Sequence, residues 1–425
     1  MSNIKEIRNE LLNDSYFEID HSSGYKIFVY PKENYSSSYA IFGTKYGSID
    51  TCFKVEGQEK FTEIPEGIAH FLEHKLFESE ELDAFARYAK TGASANAYTS
   101  FDKTCYLFSC TDNFEDSLEI LFDFVQNPYF TEQTVQKEQG IIGQEIRMYE
   151  DEPGWESLFV LLRAMYHKHP VRIDIAGTVE SISEITADLL YECYNTFYNP
   201  ANMALAVAGN VTVEQVLKVA DKMLKPKESK KIERKFQEEP AGVVEKTAVK
   251  NLSVSMPIFA IGFKEEIKTP SRTLKESVES NLLLDIIAGK TSSLYEKLLG
   301  EGLINTTFDT EFFEGYGYSA HIFSGESHEY EKVREYINEE LKRVIKDGVN
   351  KEDFDRIKKK HYGNFIMGFN DIDSISNSLI GSYFNDEGLF EQLSVLESVT
   401  LEDVNNRLRS AINIENSSMS VIKQK

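Results

Sequence analysis

A chain of 425 residues with 46 basic against 70 acidic side chains, net −24, is a poor partner for nucleic acid or an anionic membrane. Its length exceeds one ordinary hydrophobic core, so two domains or two fused halves are expected, and a 41% hydrophobic share reads as globular throughout. The opening "MSNIKEIRNELLNDSYFEID" has no uninterrupted apolar core of signal-peptide length and no stretch approaches the roughly 18 apolar residues of a membrane span, so a cytoplasmic chain is expected.

In chain order, "YAIFGTK" around Ala40 reads as an apolar strand. "IPEGIAHFLEHKLFE" then predicts a helix opened by Pro65 and Glu66. The alternating "KTCYLFSC" is a strand that points Cys105 and Cys110 to opposite faces, so they cannot bridge, and reduced structural thiols are expected. "DSLEILFDFVQ" and "TEQTVQKEQGIIGQEIRMYE" are helices, "MYHKHPVR" is a loop, and "NMALAVAG" is a closing strand. Residues 225–240, "KPKESKKIERKFQEEP", are charged and apolar-poor, the composition of an exposed linker.

Beyond that linker the pattern returns. "FAIGFK" echoes "YAIFGTK", "VNKEDFDRIKKKHYG" echoes "FTEQTVQKEQGIIG", and "SMSVIK" echoes "NMALAVAG", at offsets of about 216 to 220. The expectation is α+β: two similar halves, 1–224 and 241–425, each an antiparallel sheet covered by helices.

The chemistry concentrates in "HFLEH". On a helix, Ile68, Phe71, Leu72 and Leu76 form one apolar stripe, while His70, Glu73 and His74 fall within an arc of about 100° on the other side. Histidines at i and i+4 can aim ring nitrogens at one Zn²⁺ ion, with Glu73 beside it and free to act as a base. Read alone, the motif also fits a solvated polar face.

A third ligand must come from elsewhere. The helix from Thr131 places Glu138 and Glu145 in a stripe with Val135, Ile141, Ile142 and Met148, and carboxylates in a buried stripe must be paired, hydrogen-bonded or metal-bound. A salt bridge to Arg147 or to a lysine is the structural alternative. At the corresponding places the second half has Ile357 and Asn364, and "KTSSL" at 290–294 without a histidine, so only the first half carries the site. With His70, His74 and Glu145 as ligands, Glu73 as general base and Glu138 orienting a ligand, the set is machinery for peptide-bond hydrolysis.

The series "GIAHFLEHKLFE", "GASANAYTSFDKTCYLF", "QKEQGIIGQE", "HPVRIDIAGT" and "FYNPANMALAVAG" resembles the pitrilysin/insulinase metallopeptidases, in particular small bacterial members akin to the mitochondrial processing peptidase. The resemblance implies two similar halves that build a bowl-like half of a peptidase chamber, with zinc in the first. It implies His70, His74 and Glu145 as ligands, Glu73 as base, Glu138 as the accessory glutamate, and Asn96 and Ala97 on an edge strand that takes substrate by β-augmentation. Members that bind substrate through the second half carry Arg and, seven residues on, Tyr; here Leu298 and Asn305 stand in those places. The expectation is a zinc endopeptidase acting on a peptide substrate, the metal-bearing subunit of a heterodimer whose paralogous partner holds the Arg/Tyr pair. A homodimer and a non-catalytic scaffold subunit of the same fold are the alternatives.

Overall fold

The computed structural model describes residues 2–80, 82–267 and 272–424. The chain forms two compact units, each drawn from separated segments. Unit 1 takes Met1–Gln144, Ile175–Lys235 and Ile366–Phe390; unit 2 takes Glu145–Asp174, Phe236–Phe365 and Glu391–Lys425.

The first half of the chain opens with β1 (Asn3–Asn9), β2 (Asp14–Asp20), β3 (Lys26–Pro31), β4 (Ser38–Thr44), β5 (Cys52–Val55) and β6 (Thr62–Glu63). Next come α1 (Ile68–Leu76), α2 (Ala84–Thr91), β7 (Ser94–Thr99), β8 (Thr104–Cys110), α3 (Phe114–Gln126), α4 (Glu132–Glu150) and α5 (Pro153–Met165). The half closes with α6 (Val179–Ser183), α7 (Ala187–Phe197), β9 (Met203–Gly209) and α8 (Val213–Met223). The second half begins with β10 (Ile232–Arg234), β11 (Thr247–Asn251), β12 (Ile258–Lys264), α9 (Leu274–Ala288), α10 (Ser293–Gly300), β13 (Asp309–Gly315) and β14 (Tyr318–Glu326). It ends with α11 (Tyr330–Asp347), α12 (Lys351–Gly368), α13 (Ile372–Phe384), α14 (Glu391–Ser398), α15 (Leu401–Ala411) and β15 (Ser417–Lys423).

Unit 1 is built on a seven-stranded sheet in the order β1-β2-β3-β9-β4-β8-β7. Every residue of β4 ("SYAIFGT") and β9 ("MALAVAG") is buried, as continuous apolar runs must be when both faces of a sheet are covered. Phe42 meets Phe122 of α3 edge-on at 5.6 Å, whereas Gly43, on the other face, lies against α13: a Cβ there would stand 3.1 Å from Ile380 and 3.3 Å from Phe384. That glycine is what lets α13 approach the sheet.

Unit 2 repeats the plan with five strands, β11-β15-β12-β14-β13. Gly262 of β12 takes the part of Gly43, its Cβ position filled by Met165 and Leu161 of α5. The helices are therefore exchanged: α5, from the first half of the chain, covers the second-half sheet, and α13 covers the first-half sheet. Thr131 and Asn350 accept hydrogen bonds from Thr134 N at 3.2 Å and Asp353 N at 2.8 Å, so α4 and α12 open alike.

The sheets are α+β as expected but not wholly antiparallel. The closing strand of each half inserts between two others, so β9 runs parallel to β3 and β15 parallel to β11, while both are antiparallel to their second neighbours. The stretch 225–240 is tied down along its length: Lys227 Nζ donates to the Tyr198 carbonyl at 2.6 Å, β10 pairs with β5, and Glu239 accepts from Lys264 Nζ at 2.8 Å. Residues 290–294, compared above with "HFLEH" at a fixed offset, span the turn after α9 and the first residues of α10; by strand and helix order the counterpart of α1 is α9. All four cysteines are free of disulfides.

Candidate metal centre

The helix α1 starts at Ile68, later than Pro65 and Glu66 imply, because Gly67 enters with φ +86° and supplies no side-chain cap. A Cβ on Gly67 would sit 2.3 Å from the carbonyl oxygen of Ala176, and one on Gly177 would sit 2.6 Å from that of Glu66. Ser181 Oγ donates to the Glu66 carbonyl at 2.9 Å. Two glycines thus let "PEGIAH" and "IAGT" cross backbone to backbone, which fixes where α1 begins.

From that start Ile68, Phe71, Leu72 and Leu76 are buried, as the stripe requires. His70 and His74 are half-buried with ring centroids 4.6 Å apart, and Glu73 is 8% exposed. Burial, with the neighbouring His74 charge adding to it, pulls the pKa of His70 down to about 3, so its imidazole is neutral.

On α4, Glu138 is buried and accepts from His74 Nδ1 at 3.0 Å. Burial alone would raise the Glu138 pKa, but the hydrogen bond and charge of His74, with the charge of Lys75, outweigh it and hold the carboxyl below its ordinary value. An ionised carboxylate only accepts, so the Nδ1 proton belongs to His74, and in the neutral form of the ring a ligand would take the Nε2 lone pair. Glu145 lies seven residues further along the same continuous helix, and its carboxylate, with ring nitrogens of His70 and His74, forms a group whose ligand atoms all lie within 4.8 Å of one another.

The stripe of α4 differs from the sequence reading in one respect. Ile141 and Met148 are 47% and 60% exposed, and the buried face is Val135, Glu138, Ile142 and Ile146. At 100° per residue the two outliers stand roughly 100° from the centre of that face, so they flank it.

Two residues that sequence reasoning passed over complete the surroundings. Thr99, the last residue of β7, donates its hydroxyl to Glu73 Oε2 at 2.6 Å. Lys75 sits in the middle of the apolar stripe of α1, fully buried, and its ammonium donates to Glu78. The signal for Lys75 was legible, a charge where the helix wheel demands a hydrophobe; Thr99 depended on knowing which face of β7 meets α1.

By the alternation of β7, Ala97 shares the face of Thr99, whereas Asn96 shares that of Tyr98, whose hydroxyl donates to Asn377 of α13 at 2.9 Å. The Asn96 side chain accepts from Ala97 N at 2.9 Å. The structure thus gathers His70, Glu73, His74, Glu138 and Glu145, sets Ala97 on the α1 face of β7, and turns Asn96 to the opposite one. β7 itself is the edge of its sheet.

Two family models match in succession, Insulinase (Peptidase family M16) over residues 61–179 and Peptidase M16 inactive domain over residues 184–360. A Bacillus subtilis (strain 168) relative, the uncharacterized zinc protease YmfH, is 43% identical over 414 residues, covering 96% of each chain. The chain belongs to peptidase family M16, the insulinase family. An M16-like peptidase from Alicyclobacillus acidocaldarius has a crystal structure that matches with a TM-score of 0.92 at 34% identity, covering 100% of this chain and 99% of that one. Pitrilysin matches at a TM-score of 0.77 and 16% identity, over 100% of this chain and 47% of its own, which is a likeness of fold alone. Like these M16 chains, the protein is a mixed α+β structure of two halves with helix-covered sheets. Among the described residues no helix is long and apolar enough to cross a membrane.

Proposed function

We propose that the protein is a zinc-dependent endopeptidase that cuts short peptides or leader segments. The convergence of His70, His74 and Glu145 within 4.8 Å carries this reading. Donor atoms ~2.0–2.1 Å from a tetrahedral zinc stand about 3.4 Å apart, so small side-chain turns close the set. The donors also suit the ion: two imidazoles, one of them kept neutral by burial, and a carboxylate. Three protein ligands leave one position open, the pattern of a catalytic rather than a structural zinc.

Once bound, zinc supplies a Lewis acid that polarises a carbonyl and acidifies a water toward a pKa of ~7. Glu73, held by the Thr99 hydroxyl, takes the proton of the attacking water and passes it to the leaving amine. Glu138 keeps the His74 ring turned with Nε2 toward the ligand group. A substrate in extended form adds to the free side of β7, where Ala97 shares the α1 face and the backbone around Asn96 offers its unpaired hydrogen-bonding groups.

The same reading makes this chain the metal-bearing subunit of a heterodimer. Leu298 is fully buried in the second-half core, and Asn305 donates to Glu326 Oε2 at 2.7 Å, so neither place offers a cationic or phenolic grip. A paralogous subunit would carry the Arg and Tyr; a homodimer is the competing arrangement. Thiols without disulfides fit a cytoplasmic setting.

Glu73→Gln tests the assignment of the base. The variant is expected to keep about one zinc per chain and lose peptide hydrolysis by a factor of ~10³ or more, a general-base loss compounded by a misplaced water. Retained hydrolysis would remove Glu73 from the mechanism, and loss of zinc would make it a ligand.

A further inference from the structure

Arg234 lies in the stretch whose composition reads as an exposed linker, yet its side chain reaches into unit 1. On β10, opposite Phe53 of β5, it donates from Nε to Asp50 Oδ1 at 2.6 Å and from Nη2 to the Lys45 carbonyl. Asp50 is 4% exposed, and its other oxygen accepts from Gly47 N at 2.9 Å. Burial pushes the Asp50 carboxyl above its usual range, so the guanidinium and the amide are what favour its ionised form. One buried ion pair thus holds residues 45–50 in their turn from behind.

The other side of that turn meets the hairpin between β7 and β8. Ser48 N donates to the Ser100 carbonyl at 3.0 Å, and Ile49 N to that of Phe101 at 3.1 Å. A Cβ on Gly47 would stand 2.4 Å from the backbone of Phe101 and Asp102, so the two segments touch main chain to main chain. Within the hairpin Thr99 pairs with Thr104, whose fully buried hydroxyl donates to the Tyr46 carbonyl at 2.9 Å and lies 3.3 Å from that of Thr99. Thr99 in turn donates to Glu73 Oε2 at 2.6 Å. Hydrogen bonds and backbone contacts therefore lead without a gap from the linker to Glu73.

We propose that Asp50 and Arg234 are positioning residues for Glu73: their ion pair holds the 45–50 turn against the hairpin and so sets the Thr99 hydroxyl on the Glu73 carboxylate. This inference rests on the reading that Glu73 is the general base of a peptidase. Without the pair, the turn loses its anchor at the Gly47 amide, the end of the hairpin shifts, and Thr99 moves off Glu73.

Asp50→Asn, Thr99→Val and the double variant separate this role from a purely structural one. Thermal midpoints show that each variant is folded, and kcat is measured on zinc-loaded protein with the member of a quenched fluorogenic peptide library that wild type cleaves fastest. Asp50→Asn is expected to lower kcat about three- to tenfold and to leave zinc content unchanged, because no metal ligand is touched. In the Thr99→Val background the same change is expected to lower kcat by less than about twofold, since its effect runs through the Thr99 hydroxyl. A pair that serves the fold alone would lower the midpoint and leave kcat of the folded enzyme near that of wild type, or its loss would multiply with that of Thr99→Val. Either result overturns the proposal. Should Asp50→Asn fail to fold, Arg234→Gln decides by the same cycle: a loss absent from the Thr99→Val background upholds the proposal, and an unchanged kcat or multiplying losses overturn it. Zinc-loaded wild type that cleaves no member of the library would instead overturn the general-base reading, and this inference with it.

Discussion

The helices α4 and α12 open on equivalent caps, Thr131 and Asn350, and run nearly the same length, yet they serve opposite ends. Where α4 buries the carboxylate of Glu138, α12 buries the hydrocarbon of Ile357; where α4 brings Glu145 to the histidines, α12 shows Asn364 to solvent. The fold accepts an apolar side chain at the equivalent place on α12, so packing alone does not call for a carboxylate at Glu138, which accords with its proposed part in the metal site. Unit 2 also packs a half-chain sheet under an exchanged helix, with Gly262 doing for α5 what Gly43 does for α13. Scaffold and chemistry are separable in this chain.

Substitutions at the paired positions should split accordingly. Ile357→Ala is expected to cost 2–5 kcal/mol of stability, because Ile357 is 1% exposed in a packed core, and to leave zinc content unchanged. Glu138→Gln should do the reverse, weakening zinc 10- to 100-fold with a smaller effect on the unfolding of the metal-free protein. Chemical denaturation beside metal titration checks both, and equal zinc loss in the two variants would break the comparison.

The histidines of the two units provide a second contrast. His169, in unit 2, donates from Nε2 to the Tyr316 carbonyl at 3.0 Å and accepts at Nδ1 from Val171 N at 3.2 Å, so both nitrogens serve the fold. Burial pulls its pKa down to about 4, below the unfolded value of 6.5. The unfolded chain therefore takes up a proton first, and stability that is complete above pH 6.5 is lost as pH falls from there toward 4, by roughly 3 kcal/mol from this residue. His321, also pulled down by burial, acts in the same direction. Thermal melts of the metal-free protein at pH 7 and pH 5 should show a shallower decline for His169→Gln than for wild type.

The smallest expected effects separate the two faces of β7. Thr99→Val removes the hydroxyl that Glu73 accepts from, and kcat should fall about tenfold, the worth of one hydrogen bond to a charged group. Asn96→Ala, on the opposite face, should change kcat by less than a factor of about three and act mainly on KM, since that strand is proposed to meet substrate through its backbone. Reversed effects would place Asn96, not Thr99, against the chemistry.

How much of this could be read in the sequence depends on whether a local period encodes it. Apolar runs predicted β4, β9, β12 and β15, and helix spacing put His70 and His74 on one side of α1, because both signals repeat within a few residues. Glu138 and Glu145 were legible as charges out of place in a stripe, although Ile141 and Met148 were assigned to that stripe and proved to flank it. The exchange of α5 and α13 was not legible: two amphipathic helices at equivalent places carry no local mark of which sheet each will cover. Nor was the parallel pairing of β9 with β3, which depends on where a strand inserts after a long crossover. Lys75 was visible on the helix wheel, but its partner Glu78 lies beyond the helix end, in the turn where periodicity stops.

The central claim is that one metal ion sits on two histidines of α1 and one glutamate of α4. X-ray absorption at the zinc edge of the purified protein tests it most directly. The account predicts about one zinc per chain, bound by two imidazoles and oxygen donors at ~2.0–2.1 Å with no sulfur in the shell, and loss of that signal in His74→Ala. Sulfur ligation, or zinc retained unchanged in His74→Ala, would contradict it.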